Sequence, residues 1–473
     1  MPKLHLVWLR NDLRCLDNAV LCSAVEQAQQ NNQALLVLFV ATAQTWAEHD
    51  MAPIKQDLIR RRVMQLQTEL TALNIPLLAI EGSSYSQIPA VFSQLCQQFA
   101  LNVYVQTEYE LREQQRDVAV EQVVLANQGQ FIRFDTQCIM PPGTVRTQQG
   151  DIYKVFTPFK RSWLSRLHES GVQCYGRPTP VQTPPASLTN FTPMHNGDNS
   201  SVAWPVAEAE VLEIMRRFCR EKVADYQLQR DFPAIDGTSR LSAYLAIGVV
   251  SAAQCVARLQ LEAKDSWARD KSGAEVWLSE LIWREFYKHI LVAYPALIKH
   301  QPFQAETAAI RWTNNPALFQ AWCDGNTGYP IVDAAMRQLN QTGWMHNRLR
   351  MIVASFLVKD LHIDWRWGER YFMSKLIDGD FAANNGGWQW AASTGTDAAP
   401  YFRIFNPVSQ SEKFDPQGDF IRLYVPELSK LQGKAIHWPH KLGGVKGYAA
   451  PVVDHAEARK QTLVLFKEVK GNL

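Results

Sequence analysis

The feature that most limits what this chain can fold into lies in its first third, where short apolar runs alternate with stretches of helical composition. The runs are 4–9 (LHLVWL), 34–41 (ALLVLFVA), 76–80 (PLLAI), 102–106 (NVYVQ) and 131–134 (FIRF). The first two are continuously apolar, as a strand must be when both of its faces are covered. Between the runs lie Asn18 to Gln30 and the segments 55–73, 86–99 and 113–127, all of helical character. The alternation predicts an open, Rossmann-like parallel sheet with helices on both faces. Such a sheet offers a ligand the carboxyl ends of its strands. No GxGxxG or GxxxxGKS/T string is present, so neither a standard dinucleotide fingerprint nor a P-loop has support.

The rest of the chain reads differently. From Gly171 to Pro205 proline, threonine, serine and asparagine dominate, which predicts a long surface connection. After it, helical patterns follow one another at 206–223, 251–262, 274–294, 330–342 and 347–362. At 473 residues the chain exceeds ordinary single-domain size. The expected organisation is an α/β domain over 1–135, an interdomain connection over 136–205 and an all-α domain over 206–473. The formal charge of +2 neither requires nor excludes a nucleic acid. Eight scattered cysteines without a CxxC pair argue against zinc and disulfides, and no metal is expected. The charged N-terminus is unlike a signal peptide, and no long apolar run suggests a membrane span, so a cytoplasmic protein is expected.

Four strings mix residue types in ways that packing seldom requires. GTSRLS (237–242) precedes a helical segment, so its hydroxyls, backbone N–H groups and Arg240 suit a phosphate; an ordinary N-cap on Thr238, Ser239 or Ser242 is the commoner explanation of such a string taken alone. In VWLSELIWREFYKHI (276–290) Trp277, Glu280 and Arg284 share a helical face beside Trp283, as a functional stripe or as an intrahelical Glu280–Arg284 pair. In WMHNRLRM (344–351) Asn347, Arg350 and Met351 share a face and His346 is a structural or surface histidine. IDGDFAANNGGWQWAASTGTDAAPYFRIFNP (377–407) sets Asp378-Gly379-Asp380 before Asn384, Asn385, two glycines, Trp388 and Trp390. Asp378 has Arg350 as a candidate partner. Asn384 is either a neutral amide beside a redox ring or a cap before a Gly-Gly turn. Twelve of the fifteen tryptophans lie at or after Trp204, as a large aromatic core or as indoles that carry electrons or stack on bases.

These strings, together with VWLRNDLRCLDN (7–18), YKVFTPFKRSW (153–163) and GYPIVDAAMRQLNQTGWMHNRLRM (328–351), resemble the photolyase/cryptochrome family over nearly the whole chain. Within it they resemble the bacterial class I enzymes that act on cyclobutane pyrimidine dimers. The resemblance implies an N-terminal antenna domain and a helical domain holding a U-shaped FAD. Tyr226, Thr238, Ser239, Arg240, Leu241 and Ser242 would hold the FAD phosphates and neighbouring groups. Trp277, Glu280, Arg284, Asn347, Arg350, Asp378, Gly379, Asp380 and Asn384 would surround the rest, with Asn384 at the reactive flavin nitrogen. Trp388, Trp365 and Trp312 match the electron-transfer tryptophans, from flavin to surface. Glu280, Trp283, Asn347, Met351 and Trp390 match the lesion pocket, and Arg230, Arg348 and Arg403 are candidate phosphate contacts. The implied reaction is light-dependent DNA repair. Excited, reduced FAD would donate an electron to a flipped-out dimer, which splits into two pyrimidines.

His49, Glu113 and Lys299 match positions that hold a folate antenna, although Arg112 stands where relatives often have asparagine and Ile298 where some have cysteine. The expected antenna is 5,10-methenyltetrahydrofolate; the alternatives are 8-hydroxy-5-deazaflavin or none. The implied partner is UV-damaged, mainly double-stranded DNA, with no obligate protein partner and a monomeric state. The rival reading is a cryptochrome-type blue-light photoreceptor. Asn384 favours repair, because many plant relatives carry aspartate there and animal ones often carry cysteine.

Overall fold

In the computed structural model, which describes residues 1–182, 191–264 and 266–470, the apolar runs form five parallel strands. They are β1 (Lys3–Leu9), β2 (Ala34–Thr42), β3 (Leu77–Gly82), β4 (Ala100–Gln106) and β5 (Gln130–Phe134), in spatial order β3-β2-β1-β4-β5. β1 is central, pairing Leu4 to Ala34 on one side and Leu4 to Leu101 on the other. Its alternate side chains feed two cores. Leu4, Leu6 and Trp8 pack on one face of the sheet, and Val7 and Leu9 on the other. This is why β1 and β2 are apolar at nearly every position, the buried His5 of β1 being satisfied by Tyr104 and Gln33. The second of these cores continues into the helical domain through Leu241, Trp277, Ile282, Phe286 and Ala382.

The helices between the strands, Ala19–Gln30, Pro53–Thr71, Ile88–Cys96 and Leu111–Ala126, match the expected segments closely. Residues 136–205 are more than a surface connection, because they contain the helix Phe156–Ser170, which buries Phe159 and Trp163 against Gly273–Ala293. Residues 183–190 of that stretch lie outside the described residues. The remainder is helical, and the helices that bear the site begin at side-chain caps. Ser272 caps Gly273–Ala293, His346 caps Asn347–Lys359, Asp364 caps Trp365–Lys375, and Asp380 caps Phe381–Ala391. A third core, with Trp322, Trp365, Phe372 and Trp388, fills this domain. All eight cysteines are free, and no helix among the described residues is long and apolar enough to cross a membrane.

Candidate active site

The GTSRLS loop is not a side-chain cap. Leu241 is the cap residue of Ser242–Ile247, without a side-chain bond, and Arg240 takes a left-handed backbone (φ +51°). That geometry lays the Arg240 guanidinium 5.0 Å over the Trp344 ring. Thr238, Ser239 and Arg240 line a cavity of ≈ 540 Å³, with Arg217 and Lys222 also on its wall. Hydroxyls and three cations around one cavity suit an anionic group.

The acidic and basic side chains pair between segments, not along helices. Asp378, buried, takes a forked bond from Arg350 (2.8 and 3.1 Å). Glu280 ignores Arg284 and accepts from Arg230 at 2.5 Å. Burial drives the Glu280 carboxyl above the ordinary range, against the pull of Arg230. Arg284 donates to the Leu245 carbonyl (3.2 Å) and lies 3.8 Å from Asp380. Asp380 caps its helix through Ala383 N–H, and burial is outweighed by Lys288, Arg284 and that N–H, which together hold it at about 2. Lys288 and Lys55 are cations that spacing did not single out. Lys288 bonds Gln137 of the connection, and Lys55, on a helix of the α/β domain, donates to the Gly379 carbonyl at 2.6 Å.

Asn384 and Asn385 do not precede a turn. Both glycines continue the helix Phe381–Ala391, and Gly386 lies where a methyl would meet Tyr287 at 2.2 Å. Asn384 Nδ2 donates to the Glu369 carbonyl (2.9 Å). Trp388 is buried edge-on to Phe372 (5.0 Å) and Trp322 (6.1 Å), and its Nε1–H has no partner among the described residues. Trp365 is buried in the same core, while Trp312 packs against it from a half-buried position. His346 is buried and structural. Its Nδ1 accepts from Arg348 N–H, and burial lowers it to about 4.

Trp283 and Trp390 are both half-buried. One face of Trp283 is covered by Phe156, stacked at 3.6 Å and 7°. Phe156 N–H in turn donates to Asp397, just beyond the Trp390 helix (3.0 Å). The segment read as a connection therefore supplies a wall, which YKVFTPFKRSW signalled only through resemblance. Arg348 forks onto Asp231 (2.7 and 3.2 Å), Asn347 and Arg403 are exposed, and Met351 and Tyr226 sit at the rim and in the core respectively.

A second cavity, ≈ 530 Å³, opens at the carboxyl ends of β1 and β4, where the sheet order reverses, and reaches the helical domain. His49, Glu113 and Lys299 all line it, as do Arg284, Gly379 and Asp380. Glu113 lies 3.5 Å from His49 and accepts from Tyr85 (3.1 Å); burial and then Glu110 and Glu108 push it up to about 8. Arg112 also lines the cavity and pairs there with Glu48 (2.9 Å). Elsewhere Cys15, Glu69 and Glu208 cluster with metal-like spacing, but Arg62 already forks onto Glu69 and the Cys15 and Leu16 N–H groups occupy Glu208.

Both halves of the chain match known families. A profile described as DNA photolyase covers residues 5–185, and one described as the FAD binding domain of DNA photolyase covers 277–468. The chain is 52% identical to the deoxyribodipyrimidine photo-lyase of Vibrio cholerae, over 99% of this chain and 100% of that one. It is 49% identical to the Escherichia coli protein of the same name, over 98% and 99%. Among solved structures it is similar to a bacterial class III photolyase from Agrobacterium tumefaciens (32% identity, TM-score 0.83, 100% of this chain and 98% of that one). It is also similar to a cryptochrome from Synechocystis (28%, TM-score 0.86, 98% and 99%). With both domains matched and half of all positions shared along the full length of such relatives, the chain belongs to the DNA photolyase family.

Proposed function

We propose that this protein is a light-driven DNA repair enzyme, a deoxyribodipyrimidine photo-lyase that binds FAD and splits cyclobutane pyrimidine dimers. The observation that carries the reading is the helix Phe381–Ala391. It places Asn384, Trp388 and Trp390 within two turns, and the Arg350–Asp378 pair, Arg284 and Lys288 surround its start. The residues present fit FAD. The cavity at Thr238, Ser239 and Arg240 has donors for a diphosphate, and a buried indole N–H at Trp388 lacks an acceptor among the described residues. Bound there, reduced FAD would supply, on excitation by blue light, the electron transfer that splits the dimer.

The chain's own groups do the rest. Arg348, Arg403 and Arg230 bind phosphates of duplex DNA, so affinity falls with salt. The half-buried Trp283 and Trp390 rings receive the flipped pyrimidines. Glu280, paired with Arg230, hydrogen-bonds the dimer and stabilises charge that develops there. Trp388, Trp365 and Trp312 form a path from the interior to the surface that recharges oxidised FAD. The cavity of His49, Glu113 and Lys299 takes 5,10-methenyltetrahydrofolate as an antenna, and the protein acts as a monomer on nucleoid DNA in the cytoplasm. An absorption spectrum separates the antennas, because a folate band bleaches on illumination and a deazaflavin gives a sharper band near the violet edge.

The test is repair itself. Protein carrying reduced FAD is mixed with a duplex containing a thymine dimer and illuminated with blue light. Dimers disappear in the light and persist in the dark. Persistence of the dimer under illumination, with FAD bound, refutes the proposal.

A further inference from the structure

The helix Trp365–Lys375 turns Trp365, Gly368, Glu369 and Phe372 inward, at spacings i, i+3, i+4 and i+7. Glu369 is the anomaly in that stripe, a carboxylate whose side chain is 2% exposed. A carboxylate so placed needs donors and a counter-charge. Both of its oxygens are engaged. Oε1 accepts from Asn385 Nδ2 and Oε2 meets His300 Nδ1, each at 2.8 Å. Its backbone carbonyl accepts from Asn384 Nδ2, so one residue orients both amides. The order continues outward, since Asn385 accepts from Gln389 Nε2 (2.9 Å) and Gln389 accepts from Phe303 N–H (2.8 Å).

His300 is the ion-pair partner of Glu369 within 4 Å among the described residues, and it opens to solvent, with its side chain 49% exposed. Its left-handed backbone (φ +55°) is held by its own N–H on Leu297 and by Arg366 Nε on its carbonyl. Other charges also face it, among them Asp50 and the two arginines beside it. Arg366 bonds Asp364, Arg370 lies 3.5 Å from Asp50, and Lys299 precedes it in the chain.

We propose that His300 is a positioning residue that acts through Glu369, and that its proton links the pH of the surrounding solvent to the ease of reducing the bound flavin. The inference rests on the reading that Asn384 faces the flavin. With His300 protonated, the His300–Glu369 pair is neutral. With His300 neutral, the contact survives through the Nδ1–H tautomer, but a buried carboxylate is left without its cation beside Asn384. A negative charge there opposes adding electrons to the flavin. The bond to Glu369 raises His300 above its ordinary value, against burial and the two arginines. The neutral pair therefore exists at low pH and is lost as pH rises through the raised value.

The test follows the His300 imidazole by NMR and the FAD reduction midpoint across pH in the holoprotein, for the parent, His300→Gln and His300→Lys. The parent is expected to show a step in the midpoint that coincides with the imidazole titration, above the ordinary histidine value. His300→Gln loses the step and stays at the parent's high-pH midpoint, and His300→Lys stays at the low-pH one. A step retained in His300→Gln, or an imidazole titrating below its ordinary value, overturns the proposal. Asn384→Asp separates the two readings. If it leaves the midpoint unchanged, the placement of Asn384 falls and the proposal with it. If it moves the midpoint while His300→Gln keeps the step, the His300 proposal alone falls.

Discussion

Gly368→Ala tests whether the Trp365–Lys375 and Phe381–Ala391 helices are as tightly apposed as the structure shows. A methyl at Gly368 would lie 2.1, 2.5 and 2.6 Å from Cη2, Cζ3 and Cζ2 of Trp388. Carbon atoms rest about 3.5–4.0 Å apart, so the indole must move by more than ~1 Å. It has little room, being 2% exposed with Phe372 and Trp322 edge-on to it. Overpacking of this kind costs about 1–3 kcal/mol, and three ring atoms inside contact distance place Gly368→Ala at the upper end. Replacing a mid-helix glycine by alanine returns about 1 kcal/mol. The net expectation is a loss of ~2 kcal/mol, read as a lower urea midpoint of the apoprotein. Photoreduction of bound FAD should slow as well, because the displaced ring is the one read as the first electron donor. Gly387→Ala is the control. Nothing lies within 4 Å of a methyl there, so the same helix should keep its stability or gain up to about 1 kcal/mol. A Gly368→Ala protein as stable as the parent, with unchanged photoreduction, would refute the packing argument.

Trp312→Phe should slow photoreduction of oxidised FAD severalfold yet leave repair by pre-reduced protein nearly intact. Its thermal midpoint should barely change, since Trp312 is half-buried and its ring neighbour among the described residues is Phe466 at 6.2 Å; equal photoreduction in the two proteins removes Trp312 from the path. Glu280→Ala should lower the repair yield on a thymine dimer by about tenfold, the worth of one hydrogen bond to a charged group, while FAD content changes far less. Loss of FAD with repair per flavin preserved would reassign Glu280 to the cofactor.

How much was legible in the chain follows from the range of each interaction. The strands and most helices stood out because continuous apolar runs and caps are local signals, and β1, β2 and the helix Pro330–Thr342 lie where their sequences put them. The Arg350–Asp378 pair was also readable, because both residues were already marked by odd company. The helix Phe156–Ser170 was not, since its neighbours in sequence are loop-like and its apolar face finds a partner only on Gly273–Ala293. Glu369 carried a signal that went unread, a charge at the fourth position of an apolar stripe. Lys55 carried none, because the Gly379 carbonyl it serves is more than three hundred positions away.

That distance has a physical consequence. Lys55 to Gly379, Lys288 to Gln137, and Glu285 to the Ile139 and Met140 N–H groups and Trp163 Nε1 all join the α/β domain or the connection to the helical domain. Each places a charged group where water is scarce, and an unpaired buried charge costs several kcal/mol. Lys55 and Glu285 take these partners from outside their own elements, so their charges are satisfied when the α/β domain and the connection dock on the helical domain, while Lys288 also has Asp380 within its own domain (3.8 Å). Lys55, Lys288 and Asp380 line or adjoin the same cavity that holds His49, Glu113 and Lys299. The groups that fix the domains against each other are thus the groups between the two proposed chromophore sites. These contacts help to set their separation, and cutting Lys55 or Lys288 short would alter that spacing and the wall of the antenna cavity together.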